Sequence, residues 1–403
     1  MTQTGKESLW TRSFVLTMFG ILFLFIPFAL YLPVLPVYLL QELHSSLQEA
    51  GAINGMFLAA AVLFRAQTAR LEARFGVRRV LLTSGFLFMA TNLLYLTATT
   101  VVSVMLIRFL SGACFAVVNT SIYAMGSRLV SNARKGEGLA YLTTMVLAGS
   151  AVGPYIGLNL ADSYGYNAVF IFSAAISLLG LLIAAIIAIR PDDGLQSQSR
   201  FSFHDMYEVK AIPASLIALV IAFAYGGVLT FVTVYATEQH LPLVVNYFFV
   251  VMASASVTAR LATGRIYDRF GASAAIYPAI FLVAAGFIML GNFHTTAGLL
   301  TAGAVIGIGY GMAVPSLQTL AIQLSPDSRS CAVTATFFSC LDGGIGLGAY
   351  LLGGCIQTFG YERIYLALGV LTFCCSVPYY FLIRSDLPLM VRQAHHERKS
   401  KDI

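Results

Sequence analysis

Apolar stretches long enough to cross a bilayer recur from one end of the chain to the other, parted by short polar breaks. A helix rises 1.5 Å per residue, so about 20 apolar residues cross the hydrocarbon core. On that measure the pattern predicts twelve spans, over residues 13–40, 47–69, 80–97, 101–127, 138–161, 167–189, 211–236, 243–263, 273–292, 297–323, 331–356 and 363–383. In lipid the backbone must bond to itself, and a helix is the open element that does so. Most connections are tight. The exception is the polar segment from Arg190 to Lys210, at the middle of the chain. The expected organisation is therefore a six-helix bundle over 1–190, a linker over 191–210, a second six-helix bundle over 211–385 and a basic tail over 386–403.

Composition supports this reading. The chain is 58% hydrophobic and 10% charged, whereas soluble domains carry roughly 25% charge. Its net charge of +6 does not point to nucleic acid, because the positive residues cluster in alternate connections. Lys6 and Arg12 precede the first span, and Arg70, Arg74, Arg78 and Arg79 follow the second. Arg128, Arg134 and Lys135, the linker residues Arg190, Arg200 and Lys210, then Arg265, Arg269 and Arg329 continue the series into the basic tail. Such a bias places these connections and both termini in the cytoplasm, as expected of a multi-pass inner (plasma) membrane protein. The first apolar run is too long for a signal-peptide core and reads as the first span. The six cysteines lie within apolar runs and lack metal-ligand spacing, so they read as small buried hydrophobes and no metal site is expected.

The two halves repeat. RAQTARLEARFG at 65–76 is echoed by RLATGRIYDRFG at 260–271, with Arg65, Thr68, Arg70, Arg74, Phe75 and Gly76 each matched 195 positions later. The same offset carries Gly112 onto Gly307, Arg134 onto Arg329, Gly149 onto Gly344 and Gly153 onto Gly348. A parallel repeat of six helices is a known transporter architecture.

Three motifs then carry a family resemblance. Gly264-Arg265-Ile266-Tyr267-Asp268-Arg269-Phe270-Gly271 follows G-x-x-x-D-R-x-G. Its first-half copy departs from it, with Ala69 for the glycine, Ala73 for the aspartate, and Glu72 one residue early. Arg108 to Gly112 follows R-x-x-x-G in span 4, with Ser111 where a glutamine is usual. Span 5 holds Gly149-Ser150-Ala151-Val152-Gly153-Pro154-Tyr155-Ile156-Gly157, a G-x-x-x-G-P-x-x-G pattern. Over nearly its whole length the chain resembles the major facilitator superfamily, in particular its drug/proton antiporter branch. The resemblance implies an all-α membrane fold of two pseudo-symmetric six-helix bundles. It implies gating roles for Asp268, Arg269, Gly264, Gly271, Arg74, Gly76, Arg134 and Arg329. An acid at such a site can cap a facing helix N-terminus and pair with an arginine. It further implies proton coupling at Arg108, and an exporter's packing and bending at Gly149, Gly153, Pro154 and Gly157.

One acid stands out on its own chemistry. Asp342 lies near the middle of span 11, one turn after Phe338, whereas nearly all the other 17 acidic residues fall in loops or at span ends. Low dielectric disfavours a bare carboxylate, so an acid there is suited to hold a proton or a cation in turn. Arg108 is the only basic residue well inside a span, and such groups are costly enough to be functional by default. Phe115 and Asn119 share its helical stripe, Tyr31, Tyr225 and Tyr310 offer amphipathic rings for a ligand cavity, and Phe338 is expected to line the same cavity. Tyr225 precedes Gly226-Gly227, where a helix break is expected.

The function expected is proton-coupled efflux of a small amphipathic or drug-like molecule. Export of a cell-made metabolite, such as a metal-chelating small molecule, and proton symport remain open alternatives. Against symport stands the sequence Arg190-Pro191-Asp192-Asp193 after span 6, which lacks the sugar-porter signature. No phosphate-binding G-x-x-x-x-G-K-[ST] loop is present, and no histidine-acid or cysteine-histidine cluster sits in the spans. Neither an ATP-driven pump nor an enzyme is therefore expected. The proton gradient would replace any cofactor, and the partners are a small-molecule substrate and the lipid around a monomer.

Overall fold

The computed structural model describes residues 10–65, 67–130, 134–187, 207–325 and 329–382. Most of the expected linker, and all of the tail over 386–403, lie outside them. Twelve helices among the described residues are long and apolar enough to cross a membrane: Arg12–Gln41, Leu47–Arg65, Val77–Thr97, Val101–Ser127, Glu137–Tyr164, Tyr166–Ile186, Val209–Glu238, Asn246–Phe270, Ala272–Asn292, Thr296–Gln323, Ala332–Phe359 and Tyr361–Leu382. These are spans 1 to 12, and they follow the hydropathy pattern closely. Span 2 ends earlier than expected. Its polar continuation forms a separate short helix, Thr68–Phe75, with Thr68 and Glu72 buried and Arg70 and Arg74 exposed. The matching stretch of the second half stays within one helix, Pro242–Phe270.

The chain forms two compact units. One comprises Met1–Gln198, Leu229–Val250 and Ala349–Gly354, the other Ser199–Val228, Val251–Gly348 and Cys355–Ile403. Glycine contacts explain why segments of spans 7 and 11 belong to the first unit. A Cβ on Gly51 would stand 2.1 Å from the Ala349 carbonyl oxygen and 2.8 Å from the Phe231 ring. One on Gly353 would stand 2.5 Å from the Leu47 carbonyl oxygen. Without side chains between them, spans 2 and 11 approach backbone to backbone, as small residues permit in membranes.

The sequence repeat reappears in the details of each unit. In the first unit a Cβ on Gly112 would lie 2.2 Å from the Phe57 carbonyl oxygen; in the second, one on Gly307 would lie 2.1 Å from that of Met252. Both members of each pair differ by 195 positions from their counterparts. Spans 4 and 10 both begin at a threonine N-cap, Thr100 and Thr295, whose hydroxyls accept from Ser103 N–H and Gly298 N–H. Single glycines join spans 5 to 6 and 11 to 12, and join the short helix to span 3 and span 8 to span 9. They are Gly165, Gly360, Gly76 and Gly271, with φ between +78° and +86°. A side chain in that region meets its own carbonyl, so glycine is the natural choice.

Span 5 packs on span 1 through its glycine motif. Cβ atoms on Gly149, Gly153 and Gly157 would meet Phe25, the Ile26 carbonyl oxygen at 2.6 Å, and Leu30 respectively. Span 1 contains Pro27, Pro33 and Pro36 and span 5 contains Pro154, yet both run as single helices. The break expected at Gly226-Gly227 is absent, and Ile212–Glu238 is continuous. Gly226 instead allows close approach to span 11, where its Cβ would be 2.3 Å from the Ile345 carbonyl oxygen. Contact, not flexibility, accounts for that glycine.

The matched arginines Arg134 and Arg329 hold different acids. Arg134 pairs with Glu137 at 2.9 Å, both well exposed. Arg329 pairs with Glu208 at 3.0 Å and donates to the Tyr207 carbonyl, while the Glu208 N–H donates to Thr336 Oγ1. The Glu208 side chain is only 7% exposed, so this ion pair is largely shielded from water. Exposed pairs contribute little, whereas removing one partner of a buried pair strands the other. Arg329→Gln is expected to lower the melting temperature of the purified protein by about 5 °C or more, and Arg134→Gln by about a degree at most. Enlarging Gly112 or Gly307 to valine must force two helices apart, destabilising each unit by about 1–3 kcal/mol. Thermal unfolding of both variants, with Gly264→Val as control, checks this; among the described residues no atom outside its own helix lies within 4 Å of a Cβ at Gly264.

Candidate functional site

In the first unit a polar layer is assembled two to three turns from one end of its helices. Asn54 lies seven residues into span 2 and Arg108 seven into span 4, while Tyr31 and Thr230 stand ten and eight residues before the ends of spans 1 and 7. At 1.5 Å per residue all four fall about 10–15 Å from the same end. Arg108 is 0% exposed. It does not reach back to water but stands over the Phe57 ring at 4.2 Å and the Tyr31 ring at 5.5 Å, an attraction between cation and aromatic face. Its Nη2 donates to Asn54 Oδ1 at 3.3 Å. Asn54 Nδ2 donates in turn to the Leu32 carbonyl at 2.8 Å and to Thr230 Oγ1 at 3.2 Å.

Two residues expected to line a cavity are packed in the core of this unit instead. Tyr31 is fully buried, 5.1 Å from the Tyr95 ring and 6.3 Å from that of Phe170. Phe115 sits among Phe25, Phe28, Phe57 and Phe88 with ring separations of 4.8 to 6.0 Å. Helical spacing gave the right face but could not tell an aromatic core from a solvent-lined wall. Asn119, on the same stripe, is half-buried, and its buried Oδ1 accepts no hydrogen bond among the described residues.

Glu72 plays a part its displaced position had hidden. It is 6% exposed and accepts from Ser121 Oγ at 2.6 Å, tying the short helix to span 4. Arg74 stands over the exposed ring of its neighbour Phe75 at 5.2 Å, and Arg269 over that of Phe270 at 5.3 Å. Asp268 is exposed, with no ion pair among the described residues.

The second unit gathers the other candidates. Asp342 lies twelve residues into the 30-residue helix Ser330–Phe359, about 18 Å along it and so near its middle. Tyr225 and Tyr310 stack face to face, their ring centres 3.8 Å apart and their planes within 9°. Asp342 and Arg260 are both within electrostatic reach of the Tyr310 hydroxyl. All four side chains, and Phe338, are half-buried. An acid, a guanidinium and a paired aromatic face together can exchange a proton, hold a cation and stack a flat ring. Arg260 was readable only as the repeat of Arg65 near a helix end. Asn54 did carry a signal, being a lone amide in the apolar stretch 50–64. Among the described residues no group of three or more histidine, cysteine or acidic side chains could hold a metal.

Comparison with known proteins accords with this architecture. A Yersinia enterocolitica multidrug resistance protein, MdtG, is 23% identical over 418 residues, covering 99% of this chain and 100% of its own. An uncharacterized MFS-type transporter of Methanocaldococcus jannaschii is 21% identical over 387 residues, 93% of this chain and 97% of its own. The solved structure of a bacterial homologue of the human lysosomal transporter Spinster shares the fold with a TM-score of 0.80, at 15% identity over 95% of this chain and 99% of that one. The family model of the Major Facilitator Superfamily matches residues 17–349 and 279–403. With twelve membrane helices and a matched family model over nearly its whole length, this chain is a multi-pass membrane protein belonging to the Major Facilitator Superfamily.

Proposed function

We propose that the protein exports small amphipathic or drug-like molecules across an inner (plasma) membrane in exchange for protons, by alternating access, with both termini in the cytoplasm. The observation that carries this reading is the half-buried Asp342 beside the stacked Tyr225 and Tyr310. A carboxyl group in a half-dry site stabilises one positive occupant at a time. A protonated Asp342 leaves the tyrosine pair to bind weakly. A deprotonated Asp342 attracts a cationic substrate whose aromatic part stacks on the rings. Proton arrival from outside then displaces the substrate, and proton loss inside restores the site. Arg260 serves as the internal counter-charge that keeps an empty, ionised Asp342 tolerable. Span 5's G-x-x-x-G-P-x-x-G pattern and the multidrug resistance protein among the relatives support export over uptake. Asp268 is exposed here, which accords with a gating group that engages in the opposite state.

Asp342→Asn is expected to abolish gradient-driven ethidium flux in proteoliposomes while leaving the melting temperature unchanged within about 2 °C. Full flux in that variant removes Asp342 from the mechanism. Asp268→Asn is expected to favour the state open at the end carrying Gly271. Alkylation of single cysteines introduced along the cytoplasmic halves of spans 8 and 11 then becomes faster, and an unchanged rate excludes the gating role.

A further inference from the structure

The amide of Asn54 is wholly committed, and the chemistry of its neighbours fixes which way it points. A guanidinium can only donate, so the atom facing Arg108 must be Oδ1. The Leu32 carbonyl can only accept, so the atom facing it must be Nδ2. Both ends agree, and the remaining N–H of Nδ2 is directed at Thr230. Asn54 is 0% exposed and Thr230 1%, so no group of the trio has water to fall back on. Among the described residues the buried Nε and Nη1 of Arg108 meet no acceptor, and the buried Tyr95 hydroxyl is the other polar group within its reach. Asn54 Oδ1 thus accepts a hydrogen bond directly from a fully buried charge.

From this geometry we infer that Asn54 is a positioning residue, which links the state of Arg108 to the packing of span 7 against span 2. While Thr230 accepts its bond, the amide is held with Oδ1 toward Arg108. If Thr230 withdraws, one buried N–H is unmet, and the amide regains freedom to turn and release the guanidinium. Conversely, a change at Arg108 that pulls on Oδ1 loosens the hold on Thr230. The contact lies where spans 2 and 11 meet at Gly51 and Ala349, so the amide sits beside a seam closed backbone to backbone. Coupling of this kind is reciprocal, and either end can drive it. The inference rests on alternating access from the proposed function, but not on the substrate, on the proton or on Asp342.

A reporter for that end is Thr233, one turn from Thr230, only 6% exposed. In liposomes, alkylation by a membrane-impermeant maleimide is followed in a Thr233→Cys variant, measured against the same protein without it. No substrate or gradient is needed, so failure of the efflux assay and failure of this test are distinct results. Thr230→Val keeps the shape and removes the acceptor, and is expected to raise the labelling rate about fivefold, the worth of one net hydrogen bond. Arg108→Gln is expected to change the rate as well, and both effects should vanish when Asn54→Leu is also present. Arg108→Lys, which keeps the charge but not the planar donor, serves if Arg108→Gln does not fold. The inference is overturned if Thr230→Val leaves the rate unchanged, or if the arginine replacement acts equally with and without Asn54. A role in stability alone would lower the melting temperature of these variants without moving the labelling rate, which also overturns it.

Discussion

Placing a guanidinium out of reach of water, inside a bundle that lipid surrounds, is the condition to which the first unit is fitted. The full cost of such a charge amounts to several kcal/mol even after the protein relaxes. Among the described residues no carboxylate pairs with Arg108. Two aromatic faces and one amide oxygen do. Those partners come from spans 1 and 2, so the arginine of span 4 organises three helices, and through the same amide it touches span 7. The second unit handles charge in the opposite way. Asp342 and Arg260 remain half-buried, near the stacked rings of Tyr225 and Tyr310. One unit thus seals its ion, and the other presents its ions.

Glycine makes both arrangements feasible. Where a Cβ would fall within about 2 Å of a neighbouring carbonyl, as at Gly51, Gly112, Gly307 and Gly348, helices meet with their backbones. Lipid offers no hydrophobic reward for association, so dispersion at such short range supplies much of the attraction. Gly112 with Gly307, and Gly153 with Gly348, recur at the same interval in both halves, so at these sites the duplication is mechanical as well as sequential, whereas Gly51 has no such counterpart.

Much of the fold was legible because length and hydropathy govern spanning helices almost alone. All twelve spans fall where apolar runs predicted them, usually within a few residues. The site was legible in part. Arg108 and Asp342 stood out as charges in apolar surroundings, and that rule needs no knowledge of neighbours. Which groups meet them did not follow, because Asn54, Tyr95 and Arg260 lie 54, 13 and 82 residues away along the chain. Tyr31 and Phe115 show the reverse limit, since a helical stripe predicts a shared face and not what covers it. Glu72 looked misplaced against a motif, yet a one-residue shift on a helix is a turn of about 100° and leads it to Ser121.

The four single-glycine links bear on how the chain is built in the first place. With one residue between helices, spans 5 and 6 have no slack, and neither do spans 11 and 12. Once the leading helix of such a pair has threaded into the bilayer, its follower is delivered to the same spot, already reversed. The backbone geometry at Gly165 and Gly360 thus suits each pair to enter the bilayer as one unit.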